Sequence, residues 1–294
     1  MATVLKTSSC KFDFSDWKME NIAKLFAGCG CVMALTRGGR VLQKVDDPAL
    51  AARMEYWTRI RDISISQWCE ALAVGLVSDG TCMVAKRPLR RACENFGLNF
   101  DRINDWIKSL KGIVQVAVSD AIFALDSQGN IHHMPLTKVD DYAAVASWKG
   151  IRRICVGSQC SVFGITQEGR ILCAGHNCTA GPRGDMTEKL SQVTGAKDLC
   201  ALGSECEQIL VLLEDGSLCE PLACQSSLPP MAGGESVAAN FGLAAILCQE
   251  NKLEFATYFC PDARELDLLK RVPVRSAAVG TCGIYKPFAV VLED

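Results

Sequence analysis

Aromatic side chains are scarce in this chain: Phe, Trp and Tyr make up 7% of its 294 residues. Large rings cannot fill the interior alone, so small side chains must close the space between layers. Histidine is scarcer still, with three copies, His132, His133 and His176. No Cys-x-x-Cys pair occurs. Cys29-x-Cys31 and His176-Asn-Cys178 lack a second pair at zinc-site spacing, so neither a metal nor a cofactor is expected. No Ser-His-Asp order, nucleophile elbow or phosphate loop is present, and the chain reads as non-enzymatic. His132-His133 sit on a strand after a turn, where they read as surface residues.

No apolar run reaches 18 residues, which excludes a helical membrane span. The net charge of −2 supplies no global field for nucleic acid or an anionic membrane. Two local basic groups, Lys86-Arg87-Pro88-Leu89-Arg90-Arg91 and Arg152-Arg153, read as solvated loops on a net-negative chain. The first ten residues lack the apolar core of a signal peptide, and a cytoplasmic location is expected.

What the chain does contain is repetition. Seven times a short apolar run ends in Gly or a small residue. A polar segment, a second apolar run, a tight polar turn and a third apolar run follow. The clearest copy begins Ile151-Arg-Arg-Ile-Cys-Val-Gly157 and continues through Ser158-Gln-Cys160 to Val162-Phe-Gly-Ile-Thr-Gln-Glu-Gly169-Arg-Ile-Leu-Cys173. A repeat unit of this size cannot bury its apolar face alone and must stack on its neighbours. The turns read Arg37-Gly38-Gly39, Ser78-Asp79-Gly80, Ser127-Gln128-Gly129, Gln167-Glu168-Gly169, Glu214-Asp215-Gly216 and Gln249-Glu250-Asn251. Gly supplies positive φ at the last position, and Asn is the next most tolerant residue there. Successive turns lie 41, 49, 40, 47 and 35 residues apart, a spacing that predicts one four-stranded blade per repeat.

The seventh copy is split. The chain stops at Ala289-Val-Val-Leu-Glu-Asp294, just before its turn, and Thr3-Val4-Leu5-Lys6 matches the missing strand. The expectation is an all-β, seven-bladed β-propeller, a single domain over 1–294, whose last blade is closed by the N-terminal strand. The longer connections at 45–56, 86–105, 177–192 and 220–233 read as outer strands and loops, with a short helical insert near 49–56. Trp17, Trp57, Trp106 and Trp148 precede four repeats and read as plugs in the seams between blades. Phe12-Asp13 to Asp16-Trp17 and Phe100-Asp101 to Asp105-Trp106 look like one device used twice. The 17 cysteines fall largely inside apolar runs, as Cys82, Cys155, Cys173, Cys200, Cys219 and Cys248 do, and read as compact buried hydrophobes.

The pattern Val/Ile-x-x-Ile-x-x-Gly, polar loop, apolar run, Asp-Gly, apolar run resembles the regulator-of-chromosome-condensation repeat over essentially the whole chain. The Trp-x-x-Ile lead-in at Trp57 to Ile60 and Trp148 to Ile151 is similar to the compact bacterial versions. The resemblance implies a seven-bladed propeller. Two departures stand out: the family's His-Ser after the first Gly is replaced by Gln159-Cys160, Glu205-Cys206 and Gln67-Trp68, and its Gly-x-Asn-x-x-Gly stretch is reduced to Gly175-His-Asn-Cys-Thr-Ala-Gly181.

The polar segment between the first and second runs varies from copy to copy while its flanks stay similar, which is where a rigid scaffold places recognition. Gln67, Trp68, Asp120, Gln159, Glu205, Glu207, Tyr285 and Lys286 are the candidate partner-binding residues, with Trp68 and Tyr285 as aromatic anchors. The leading expectation is a monomeric, non-enzymatic module that presents this rim to a protein partner. The alternatives are a ligand or metal site in the central channel, and an exchange-factor-like or enzyme-inhibitor-like propeller implied by the resemblance.

Overall fold

Each polar turn fixes the start of the next repeat. In the computed structural model, which describes residues 3–18, 20–66, 72–86, 100–136, 141–157, 161–175, 178, 186–202, 208–223, 233–240, 242–257, 263–281 and 287–293, the turn glycines Gly39, Gly80, Gly129, Gly169 and Gly216 have φ between 72° and 81°. Asn251 takes the same place with φ 59°. A side chain at Gly129 would meet a second obstacle: a β-carbon there would lie 2.9 Å from the Ile151 nitrogen. The carbonyl of each turn Gly accepts the N–H that opens the next repeat. Ile60 donates to Gly39, Ile113 to Gly80, Ile151 to Gly129, Ala196 to Gly169 and Gly234 to Gly216, at 2.9–3.1 Å.

Twenty-one strands among the described residues form seven antiparallel sheets of three. The N-terminal strand is β1 (Val4–Lys6). The first sheet joins β2 (Ile22–Gly28), β3 (Cys31–Thr36) and β4 (Val41–Val45). The second joins β5 (Ile60–Ile65), β6 (Leu72–Val77) and β7 (Cys82–Lys86), and the third β8 (Ile113–Val118), β9 (Ala121–Asp126) and β10 (Ile131–Pro135). The fourth contains β11 (Ile151–Val156), β12 (Val162–Thr166) and β13 (Ile171–Ala174), the fifth β14 (Ala196–Leu202), β15 (Gln208–Leu213) and β16 (Leu218–Cys219). The sixth contains β17 (Gly234–Asn240), β18 (Leu243–Cys248) and β19 (Lys252–Thr257). In the seventh, β20 (Val274–Thr281) and β21 (Pro287–Glu293) are completed by β1, with Val4 opposite Leu292 and Lys6 opposite Val290. The N-terminal segment supplies the strand that the split repeat lacks.

The middle strands are mostly apolar because they are covered on both faces; β3, β6 and β12 have every residue buried. First strands of successive sheets pack side by side, and β20 lies against β2. There the Leu25 N–H donates to Ser276 Oγ at 3.0 Å and the Gly30 N–H to the Thr281 carbonyl at 2.8 Å.

The expected fourth strand is absent among the described residues, and short helices lie on the third strands instead. Helix α1 (Pro48–Met54) starts with Pro at its first position, and the Asp47 side chain accepts from the Ala49 N–H at 2.8 Å. Its Leu50 and Met54 pack with Trp57 and Ile60. Helix α2 (Phe100–Ser109) lies against β7 and buries Ile103 and Ile107 among side chains of the second and third sheets. Helices α3 (Thr187–Ser191) and α4 (Ala263–Leu269) bury Leu190 and Leu266. Apolar spacing of three to four residues puts these side chains on one helical stripe, which an outer strand would have split across two faces.

The tryptophans divide. Trp17, Trp57 and Trp148 are buried, as plugs should be. Trp106 sits half-buried on α2, and Trp17 ends a single 3-10 turn, Ser15–Trp17, so the two Phe-Asp to Asp-Trp segments are different structures.

Candidate functional site

Every first strand carries a β-bulge one residue from its start. The pairing steps from Ile22 to Lys24, Ile60 to Asp62, Ile113 to Gln115, Ile151 to Arg153, Ala196 to Asp198, Gly234 to Ser236 and Val274 to Ser276. A bulge turns an extra side chain out of the ladder. In three of the sheets that side chain reaches the neighbouring sheet. Arg61 Nη2 donates to the Ile113 carbonyl at 2.6 Å, Arg152 Nη2 to the Ala196 carbonyl at 2.6 Å, and Lys197 Nζ to the Gly234 carbonyl at 3.4 Å.

The residue after each bulge adds a second belt. Lys24 pairs with Asp62 at 2.8 Å. Gln115 both donates to the Ile154 carbonyl at 2.7 Å and accepts the Ile154 N–H at 2.8 Å. Arg153 grips the buried Asp198 carboxylate through Nε and Nη2. Arg152 also pairs with Glu214. Arg152 and Arg153 are therefore fastened between sheets and are not a solvated loop; two adjacent arginines on a strand of this register face separate anionic partners in the next sheet.

Six of the first strands, β2, β5, β8, β11, β17 and β20, border a cavity of about 790 Å3, to which Leu247 of β18 also contributes. A smaller recess of about 480 Å3 lies between Trp106, Gly112, Gln128 and His132.

Of the sequence-selected rim residues, Asp120 is described. It stands in the connection from β8 to β9, where its carboxylate accepts from Ser119 Oγ at 2.9 Å and from the Tyr142 hydroxyl. Tyr142 is itself buried and meets Phe123 edge-on, with ring centroids 5.0 Å apart. Asp120 is thus held in place by an element outside the sheet. Gln67, Trp68, Gln159, Glu205, Glu207, Tyr285 and Lys286 lie outside the described residues. The bulge residues were missed at the sequence level because bulges leave no spacing signal in a run such as Ile151-Arg-Arg-Ile; the signal that was available is the recurrence of a base directly after the opening apolar residue, at Arg61, Arg152, Lys197 and Arg275.

Five of the described thiols are held in their protonated form. Burial pushes Cys82 and Cys155 up to about 12, and it raises Cys200, Cys219 and Cys248 as well. The Asp198 carboxylate beside Cys155 and Cys200 acts in the same direction. Asp126 is opposed by burial, yet hydrogen bonds from Asn130, His132 and Gln128 hold its carboxyl below the usual range. His132 Nε2 lies 3.0 Å from Asp126, and His133 stacks on Phe123. No cluster of three metal-binding side chains occurs among the described residues, and no helix there is long and apolar enough to cross a membrane.

No family model matches the chain, and no curated protein sequence matches it. Solved structures do. Human WBSCR16 superposes with a TM-score of 0.61 at 10% identity, covering 94% of this chain and 87% of that one. Prp20p from Saccharomyces cerevisiae, the yeast RCC1, superposes with a TM-score of 0.51 at 12% identity, covering 92% and 81%; it is described with its binding properties to Gsp1p and histones. Together with the seven small antiparallel sheets, these likenesses give the chain an RCC1-like β-propeller fold.

Proposed function

We propose that the seven sheets close into one seven-bladed propeller domain over 1–294, and that this domain is a non-enzymatic module presenting one rim to a protein partner. The observation that carries this reading is an asymmetry between the two ends of the sheets. At one end five turns share a positive-φ Gly whose carbonyl accepts the N–H that opens the next repeat. At the other, the last paired residues are Gly28 and Cys31, Ile65 and Ala73, Val118 and Ile122, Val156 and Val162, Leu202 and Gln208, Asn240 and Leu243, and Thr281 and Pro287. The connections they leave run from two residues to seven, on strands of one common register. Conserving the frame while varying one set of loops is how a rigid scaffold carries recognition. Prp20p offers a precedent of the same fold in its binding to Gsp1p and histones. The exchange-factor-like alternative is not adopted, since a fold does not carry an activity with it.

Trp68 and Tyr285, on the second and seventh of these connections, are the proposed aromatic anchors, with Gln67, Asp120, Gln159, Glu205, Glu207 and Lys286 as polar neighbours. The test is affinity capture from the source lysate, comparing the wild type with the Trp68→Ala, Tyr285→Ala double variant by quantitative mass spectrometry. Loss of a stoichiometric protein in the variant is the expected result. Equal recovery by both proteins would overturn the rim assignment.

A further inference from the structure

The seven bulge positions hold Ala23, Arg61, Val114, Arg152, Lys197, Glu235 and Arg275. Four are basic and one is acidic, on a chain whose overall charge is −2. Of the four bases, Arg152 and Arg275 line the cavity that the first strands border. Three of the four have a structural task, since Arg61, Arg152 and Lys197 each donate to a carbonyl of the next sheet. Arg275 lines the same cavity and does not share that task. It has neither a hydrogen bond nor an ion pair among the described residues, and its Nε is buried without a partner. A desolvated donor left unsatisfied is costly, the more so on a charged group.

We propose that this cavity binds a compact oxyanion, a phosphate or carboxylate group of a small molecule, with Arg275 as its principal ligand. A guanidinium offers a planar fork that fits such groups with two parallel hydrogen bonds. Arg152, whose Nε is likewise buried and unpartnered while its Nη2 is engaged, adds positive potential from across the cavity. Val114, 44% exposed and lining the same cavity, gives an apolar surface for the body of the molecule. The cavity volume of about 790 Å3 lies within the range of small-molecule sites, roughly 300–1,000 Å3. That size favours a small ligand over a protein segment.

Calorimetric titration of the full chain at low salt, with inorganic pyrophosphate and separately with citrate, tests the site and distinguishes phosphate from carboxylate chemistry. Saturable binding of at least one is expected, weakened about tenfold or more in Arg275→Gln. Lys189→Gln, on α3 and outside the cavity, should bind as the wild type does. Arg275→Lys keeps the charge and loses the fork, and should fall between the two. If Arg275→Gln does not fold, protection of the 274–277 amides from hydrogen exchange on saturating the wild type decides instead. Neither anion binding, equal affinity in Arg275→Gln, no added protection at 274–277, or binding of an acidic decapeptide in place of both anions would each overturn the proposal. The Trp68→Ala, Tyr285→Ala variant should retain anion binding, so this site and the rim reading fail or stand separately.

Discussion

Gly164 makes room for Trp148: a β-carbon at Gly164 would lie 2.9 Å from Cε3 and Cζ3 of the indole. Gly75 stands in the same relation to Trp57, at 2.8 and 2.9 Å. In both repeats a lead-in tryptophan packs over the middle of the second strand, next to the first Ile of the first strand, Ile151 or Ile60. Glycine in a strand interior ordinarily weakens it; here the missing side chain is replaced by a ring.

Gly164→Ala should therefore destabilise the protein by about 1–3 kcal/mol through overpacking, although alanine has the better strand propensity. Trp148→Ala should cost more, about 3–5 kcal/mol. Pairing the two changes should cost less than their sum, because the new methyl then fills part of the vacated space. Chemical denaturation of the four proteins measures this, and strict additivity would show that the contact is not the source of the cost.

Removal of residues 1–8 should lower the melting temperature by roughly 5–10 °C. The deletion takes β1 from β21 and with it the Thr7 N–H donated to Ala289 at 3.1 Å and the Ala289 N–H donated to Thr7 Oγ1 at 3.2 Å. The exposed edge of β21 should also promote association, visible by light scattering. An unchanged melting temperature would mean that the seventh sheet stands without its N-terminal strand.

Asp198→Ala should cost about 2–3 kcal/mol, less than the about 3–5 kcal/mol of a fully enclosed pair, since the Arg153 side chain is 42% exposed and can be solvated once released. Asp198→Asn should be milder, as it keeps one acceptor for the guanidinium. Denaturant midpoints of the two variants against wild type check the order.

Cys82 and Cys155 should resist alkylation by iodoacetamide at pH 8 in the folded protein and react fully after unfolding, as peptide mapping would show. Their pKa values are raised in the folded state, so folding favours the protonated thiol. Stability on this account is flat below the ordinary value of 9.0 and falls as pH climbs towards about 12. Rapid labelling of either residue at pH 8 would contradict the burial that raises them.

The frame was largely legible in the sequence because its signals are local. The turn glycines, Asn251 in their place, the apolar second strands and the match of Thr3-Val4-Leu5-Lys6 to a missing strand each depend on a few adjacent residues. Two readings needed distances that a sequence does not carry. Arg152-Arg153 resembles any exposed basic pair until the bulge between Ile151 and Arg153 sends them to Ala196, Glu214 and Asp198. Trp106 and Trp17 share flanking Phe-Asp and Asp residues, yet apolar spacing at Ile103 and Ile107 winds one segment into a helix, while the other makes a single turn. Of the candidate rim, Asp120 alone falls within the described residues, and its role as an acceptor for Tyr142 depends on a contact 22 residues away in the chain.

The hydrogen bonds from the opening N–H of five repeats to the preceding turn decide where this chain can change its length. The second strand, its turn and the third strand are paired at fixed register, so an inserted residue in the second or third strand would displace every contact after it. Yet the turns recur at intervals from 35 to 49 residues. The difference is absorbed after the third strand, where α1, α2 and α3 lie, and on the rim of unequal loops. Growth and loss of sequence are thereby steered to the periphery and to one face, and a chain built this way can acquire new surfaces there while its sheets keep their register.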